Sequence, residues 1–167
     1  MSGAILRADG SWSADTTRVL REVSAQALLP GDIIPLSDYL QLAANRRSSL
    51  GVWLSPDSEP EKLGEHARDL ALIAVDFPVF KDGRGFSIAS LLRTRYGFNG
   101  DLRAIGDVLI DQLFYMRRVG FSSFVLRSDQ DAGAAVAALS TFSDVYQASV
   151  NQPLPYFRRR AVEGARP

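Results

Sequence analysis

The side chains with the most chemical potential in this chain sit where apolar runs end. Asp76, Lys81, Asp82 and Arg84 follow the run 70–75. Arg103 lies inside 101–105, with Gly106 and Asp107 just after it. Arg127, Ser128, Asp129 and Asp131 follow 121–126. If those runs are parallel strands, all of these residues reach one end of a sheet, the carboxyl end, where α/β folds bind ligands. Two chemistries suit them. Arg84 and Arg103, with Ser87 at a helix start, are candidates to hold an oxyanion, because guanidinium forks match oxyanions and a helix N-terminus adds partial positive charge. Asp76 and Asp107 are candidate catalytic acids or bases.

Arg103 carries two readings. A buried parallel strand seldom holds an unpaired guanidinium, since burying a charge is costly. Either the strand is an edge with Arg103 in water or paired to Asp76 or Asp107, or the arginine binds an anion. The stretch "DGRG" contributes Asp82, Gly83 and Gly85, a tight turn with backbone N–H groups at a helix start. It is not a P-loop, because no Gly-Lys-Ser/Thr follows. It is not a dinucleotide fingerprint, because Ile88 stands where a third glycine belongs. Asp107 and Asp111 lie four apart in a predicted helix, hence on one face, with Gln112 beside them. That spacing suits a shared cation. The competing reading makes Asp107 the N-cap and pairs Asp111 with Arg103, Arg117 or Arg118.

Composition narrows the chemistry. The 167 residues contain no cysteine and one histidine, His66. Disulfides, thiolate nucleophiles, cysteine-held clusters and His-rich metal sites are therefore excluded, and no metal site is expected. Nineteen basic residues balance nineteen acidic ones. No net field draws the chain to nucleic acid or to a membrane, although Arg158–Arg160 forms a local basic cluster. The N-terminus lacks the pattern of a signal peptide, and the longest apolar run, "LALIAVDF", is far short of the roughly 20 residues of a membrane helix. The expectation is a soluble, cytoplasmic protein.

The elements that must position these residues alternate. "LGVWL" (50–54), "LALIAVDF" (70–77), "DLRAI" (101–105) and "FSSFVLR" (121–127) read as strands. Between and after them, 55–70, 87–96, 106–120 and 132–147 read as helices. In the last, Ala135, Leu139, Phe142 and Tyr146 form a stripe. "GAILR" is a further candidate strand and 37–47 a further helix, capped by Ser37. Trp12 and Trp53 read as core and His66 as solvated. Alternation of this kind implies right-handed crossovers and a mainly parallel sheet, as a half-barrel or an open sheet. Residues 1–150 are expected to form one α/β domain, with 151–167 an extended or disordered basic tail.

Several motifs occur in order over residues 73–124: DFP, DGRGFS, LLRTRYG, GDLRAIGDV, DQL and RVGF. With "LGVWLSPDSEP" upstream and "FSDVYQ" downstream, they resemble the bacterial domain-of-unknown-function family 934, over about 30–147. The resemblance implies an oxidoreductase linked to sulfite reduction and sulfur assimilation. Many members carry a cysteine before the GF; here the residue is Val119, so thiol chemistry at that position is absent.

Three functions are compatible with these readings. The first is a non-catalytic accessory of assimilatory sulfite or sulfate reduction that docks on sulfite reductase or its electron donor, with Phe77, Phe80 and Phe86 offering an apolar face. The second is a small (β/α)-type enzyme that holds an oxyanion with Arg84 and Arg103, and a homodimer would complete its pocket. The third is a literal oxidoreductase. It requires a flavin or a nicotinamide, because no side chain here stores electrons, and the sequence displays no site for either.

Overall fold

A computed structural model describes residues 3–23, 28–142 and 144–163. Seven strands form one sheet in the order β2-β1-β7-β6-β5-β4-β3. They are β1 (Ala4–Arg7), β2 (Trp12–Ala14), β3 (Ile33–Pro35), β4 (Gly51–Leu54), β5 (Leu72–Phe77), β6 (Asp101–Gly106) and β7 (Ser123–Phe124). Strands β3 to β7 are parallel and lie in sequence order, whereas β1 joins β7 and β2 joins β1 in antiparallel fashion. The architecture is the expected mixed α/β sheet, mainly parallel and not closed.

Sequential parallel strands joined by right-handed crossovers place the connecting helices on the same face. That face is the main core. Ile34, Val52, Leu54, Ile73, Val75, Phe77, Leu102, Ala104 and Phe124 point into it. Against them pack α1 (Leu36–Gln41), α3 (Arg84–Thr94), α4 (Leu113–Arg118) and α5 (Ala132–Ala138), through residues such as Tyr39, Ile88, Leu92, Leu113, Met116 and Ala135. Because side chains alternate along a strand, the intervening residues face the other way. There Ile33, Ala74 and Ile105 form a small second cluster with Val19, Trp53, Leu72 and Val125.

The second face is covered by the chain itself. From Ala14, paired with Ala4, the backbone runs to Val19, which bridges Ile33. One end of this segment therefore belongs to one edge of the sheet and the other end to the opposite edge. Flat strands about 4.8 Å apart would put β2 and β3 about 29 Å from each other. Five residues of fully extended chain reach at most about 18 Å. The sheet must therefore curl, and the segment lies across its concave side. Asp15, Thr17, Val19 and Arg21 make its contacts with that side, at the two-residue period of extended chain.

Several expected elements differ in detail. Residues 60–62 and 64–69 form short 3₁₀ helices instead of one α-helix over 55–70. Pro60 begins the first of these, Leu63 separates them, and Gly64, at positive φ, begins the second. The helix expected over 37–47 is two pieces, α1 and α2 (Ala44–Arg47), and Pro35, not Ser37, precedes the first. α3 begins at Arg84, so Ser87 lies within it and does not start it. The helix expected over 106–120 is confined to a 3₁₀ turn at Ile110–Gln112 and α4. Gly106, at φ 93°, turns the chain out of β6, and Asp107 consequently is no N-cap. The strand expected over 121–127 narrows to β7. α5 stops at Ala138, leaving Phe142 and Tyr146 exposed and off any buried stripe. The tail contains a helix, α6 (Tyr156–Glu163), where extended or disordered chain was expected; 164–167 lie outside the described residues.

Gly85 shows why the "DGRG" turn needs its second glycine. A Cβ there would stand 2.6 Å from the Phe77 ring, which is fully buried beneath α3. Gly83, at φ −81°, has room for one, its nearest neighbour being Phe86 at 3.9 Å. The expected outcome is that Gly85→Ala lowers unfolding free energy by about 1–3 kcal/mol through overpacking. Gly83→Ala should change it by less than about 1 kcal/mol. Urea denaturation of the two variants distinguishes a packing glycine from a ligand-cradling turn, which would tolerate both without loss of stability.

Candidate functional site

The sheet has two polar ends, and the candidate residues divide between them. At the amino end stands Arg103. It is 3% exposed, on a central strand instead of an edge, and it faces the concave side. All three of its guanidinium nitrogens have protein partners. Nε donates to Ser123 Oγ at 3.2 Å, Nη1 to Thr17 Oγ1 at 2.9 Å and Nη2 to Asp101 Oδ2 at 2.9 Å. Asp15 adds a second carboxylate at 3.5 Å. The partner carboxylates are thus Asp101 and Asp15, not Asp76 or Asp107.

Asp101 is the centre of this group. It also accepts from Ser122 and Ser123, each at 2.7 Å, and from Arg7 at 2.9 Å. Burial acts to raise its pKa, but the hydrogen bonds from Ser122, Ser123 and Arg103 outweigh it, and the carboxyl is held below its ordinary value. The group ties β1, β6, β7 and the crossing segment together.

The carboxyl end holds the other candidates, already engaged with one another. Asp76, 7% exposed, receives both arms of Arg21, at 2.6 and 3.0 Å. Arg21 lies over the Trp53 ring, 4.9 Å from its centroid, and Trp53 Nε1 donates to the Leu20 carbonyl. Arg84 is clamped by Asp82 from its own turn and by Asp57 from the loop after β4. Its hydrogen bonds hold the Asp82 carboxyl below the usual range. Arg127 joins Asp107 and Asp129 at 2.7 Å each, and its hydrogen bond to Asp129 depresses the pKa of that carboxyl. Ser87 is exposed, with no side-chain hydrogen bond among the described residues. Beside this rim, at the ends of β3 and β4, is a groove of about 310 Å³ whose wall includes Trp53, Ser55, Asp57, Glu59 and Lys62.

Asp107 and Gln112 come together, though not on one helix face. Both reach the backbone of Phe80: Asp107 Oδ2 accepts from its N–H at 2.9 Å and Gln112 Nε2 donates to its carbonyl at 3.2 Å. Asp107 N–H in turn donates to the Phe77 carbonyl at 2.7 Å, locking the start of the same loop. Asp111 is exposed one residue away. The apolar face expected from three phenylalanines is redistributed. Phe77 is in the core, Phe86 is half-buried against Phe77 and Tyr115, and Phe80 is 40% exposed beside Val79 at 56%.

Arg84 and Arg103 therefore sit at opposite ends of the sheet. Among the described residues no group of three or more His, Cys, Asp or Glu side chains is placed to hold a metal ion. No helix among them is long and apolar enough to cross a membrane. Sequence reasoning missed Arg21, Asp101 and the crossing segment. The signal for the segment was the alternation Asp15, Thr17, Val19, Arg21, with no flanking pattern to say which surface it covers.

Residues 51–157 match a protein family described as bacterial protein of unknown function (DUF934). No curated protein sequence matches the chain.

Two outcomes follow for the amino-end group. Arg103→Ala should destabilise the protein by about 1.5–3 kcal/mol, because it removes the buried charge-assisted hydrogen bond to Asp101 and leaves that carboxylate only the more exposed Arg7. The contribution of Asp101 should depend on pH with a definite sign. Its folded-state pKa lies below the unfolded value of about 3.9, so the carboxylate stabilises the fold above that pH and ceases to as pH falls through the folded value. Urea titrations of wild type and Asp101→Asn should therefore differ most near neutrality and converge in acid.

Proposed function

The chain belongs to the DUF934 family, and from that premise we propose that it is an accessory protein of assimilatory sulfite reduction that acts by docking a partner, sulfite reductase or its electron donor, on the Val79–Phe80 loop. The observation that carries the reading is the clamp on Phe80. Both its backbone groups are held by side chains, from Asp107 and Gln112, while Phe80 and Val79 remain partly exposed. Scattered apolar residues on a surface are ordinary. A polar network that fixes one in place is less so, since it reduces the ordering cost of binding and keeps an aromatic anchor presented.

The surrounding chemistry supports binding over oxyanion catalysis. Arg21, Arg84 and Arg127, on the carboxyl-end rim, each have a carboxylate at hydrogen-bond distance. An incoming oxyanion would compete with those carboxylates. The link to sulfite reduction rests on the resemblance carried by the DFP, DGRGFS and GDLRAIGDV motifs. Asp76, Asp82 and Arg84 act in this reading as loop and strand-end supports, and Asp107 and Gln112 as positioning residues for the docking loop.

The test uses purified sulfite reductase and its electron donor with the full chain. Wild type should bind one of them, and Phe80→Asp should weaken that binding by at least about 30-fold, the effect of losing a central anchor. Cells carrying Phe80→Asp should grow slowly on sulfate and normally on cysteine. Absence of binding by the folded wild-type protein to either component, or full affinity in Phe80→Asp, overturns the reading.

A further inference from the structure

A second surface of the molecule has a different character. Between α3 and α4, closed on one side by residues 147–150, lies a groove of about 340 Å³. Its wall contains Ser90, Tyr115, Arg118 and Val119, and on the other side Ala148 and Val150. The groove near Trp53 sets Asp57 and Glu59 beside Lys62, but among the described residues this one has no carboxylate in its lining.

Arg118 is the unusual member. The rim arginines and Arg103 are held by carboxylates, whereas among the described residues Arg118 donates only Nη2, to the Gln147 carbonyl at 3.0 Å. Its Nε is buried and has no hydrogen-bond partner among the described residues. A guanidinium has five N–H donors in a planar fork, and leaving a buried donor unpaired is costly. Reorientation of the fork toward an oxyanion in the groove would pair Nε and one Nη together. The rest of the lining is apolar or neutral. Tyr115 offers a ring that is 51% exposed, braced edge-on by Phe86, and Val119, Ala148 and Val150 supply aliphatic surface. A cation with no carboxylate among the described residues at ion-pair distance, beside an aromatic and aliphatic wall in a cleft of ligand size, is the complement of an acid with an apolar body.

We propose that this groove binds a carboxylate carried on a short apolar body, with Arg118 taking the carboxylate and Tyr115 and Val150 covering the body. The site does not use Val79 or Phe80, so it stands or falls separately from partner docking.

Hexanoate, hexanol and sulfate are suitable probes in a ¹H–¹⁵N NMR titration of the full chain. Hexanoate should shift the amides of Tyr115, Val119, Ala148 and Val150. Hexanol, which lacks the charge, should bind at least about tenfold more weakly, as expected for loss of a charge-assisted hydrogen bond. Sulfate, which lacks the body, should also bind more weakly than hexanoate. Arg118→Gln should reduce hexanoate affinity by at least about tenfold. Ser90→Phe, which fills the groove and keeps the arginine, should abolish binding and serves if Arg118→Gln does not fold. An acetylated peptide ending in a free leucine carboxylate forms a second arm. Preference for it over hexanoate assigns the groove to a chain terminus, and the reverse assigns it to a free acid. Equal affinity for hexanoate and hexanol, sulfate binding as tight as hexanoate, no shift of these amides by either carboxylate, or unchanged affinity in a folded variant overturns the proposal.

Discussion

Five peptide steps from Ala14 to Val19 join the two edges of a seven-stranded sheet. That length is too short for a flat sheet and forces a curled one. Much else depends on this constraint. Curvature gives the sheet a convex face for the helices and a concave face too narrow for another layer of secondary structure. The concave side is filled instead by the crossing segment, and its residues are chosen accordingly. Ala74 and Ile105 give close contact in the middle, and paired charges occupy both ends.

The charges on that side act mainly on register. Replacing a buried ion pair by apolar residues is often neutral or stabilising, so Arg103 and Asp101 are weak evidence for extra stability. Their positions two residues apart place both on the concave face. A one-residue slip of β6 would turn them into the helical core among Ile73, Val75 and Phe124, where no partner waits. Arg18 on Asp32 and Arg21 on Asp76 extend the same logic along the segment, one arginine at the β3 edge and one at the carboxyl end of β5.

Strands β5 and β6 were legible because they are buried on both faces and read as short apolar runs. Arg103 was legible as an anomaly, but its resolution was not. Its partners Thr17 and Ser123 lie 86 and 20 residues away, and Asp101 lies on the same strand face at a spacing that also occurs by chance. Arg21 and Asp76 are 55 residues apart, with no local pattern to connect them. The helix read over 106–120 failed for a backbone reason. Gly106 takes a positive φ, and a Cβ there would lie 2.4 Å from the Phe77 carbonyl. The chain therefore turns against β5 before any helix begins, and Asp107, in the sequence position of a cap, is delivered to a neighbouring loop.

That delivery bears on how the carboxyl end of this sheet is used. In a parallel α/β sheet the loops at this end can place charged groups around a ligand, which requires those groups to be free. Here they are committed to the loops themselves. Arg84 joins the loop after β4 to the start of α3 through Asp57 and Asp82, and Arg127 joins the end of β7 to the turn after β6 through Asp107. Asp107 then passes that order on to Phe80, with Gln112 on the other side. The net result of these ion pairs is a rim whose arginines are all engaged, with Val79 and Phe80 exposed on it beside Lys81. A small anion entering a rim built this way would have to displace carboxylates from its arginines, whereas a surface that meets the exposed Val79 and Phe80 would not.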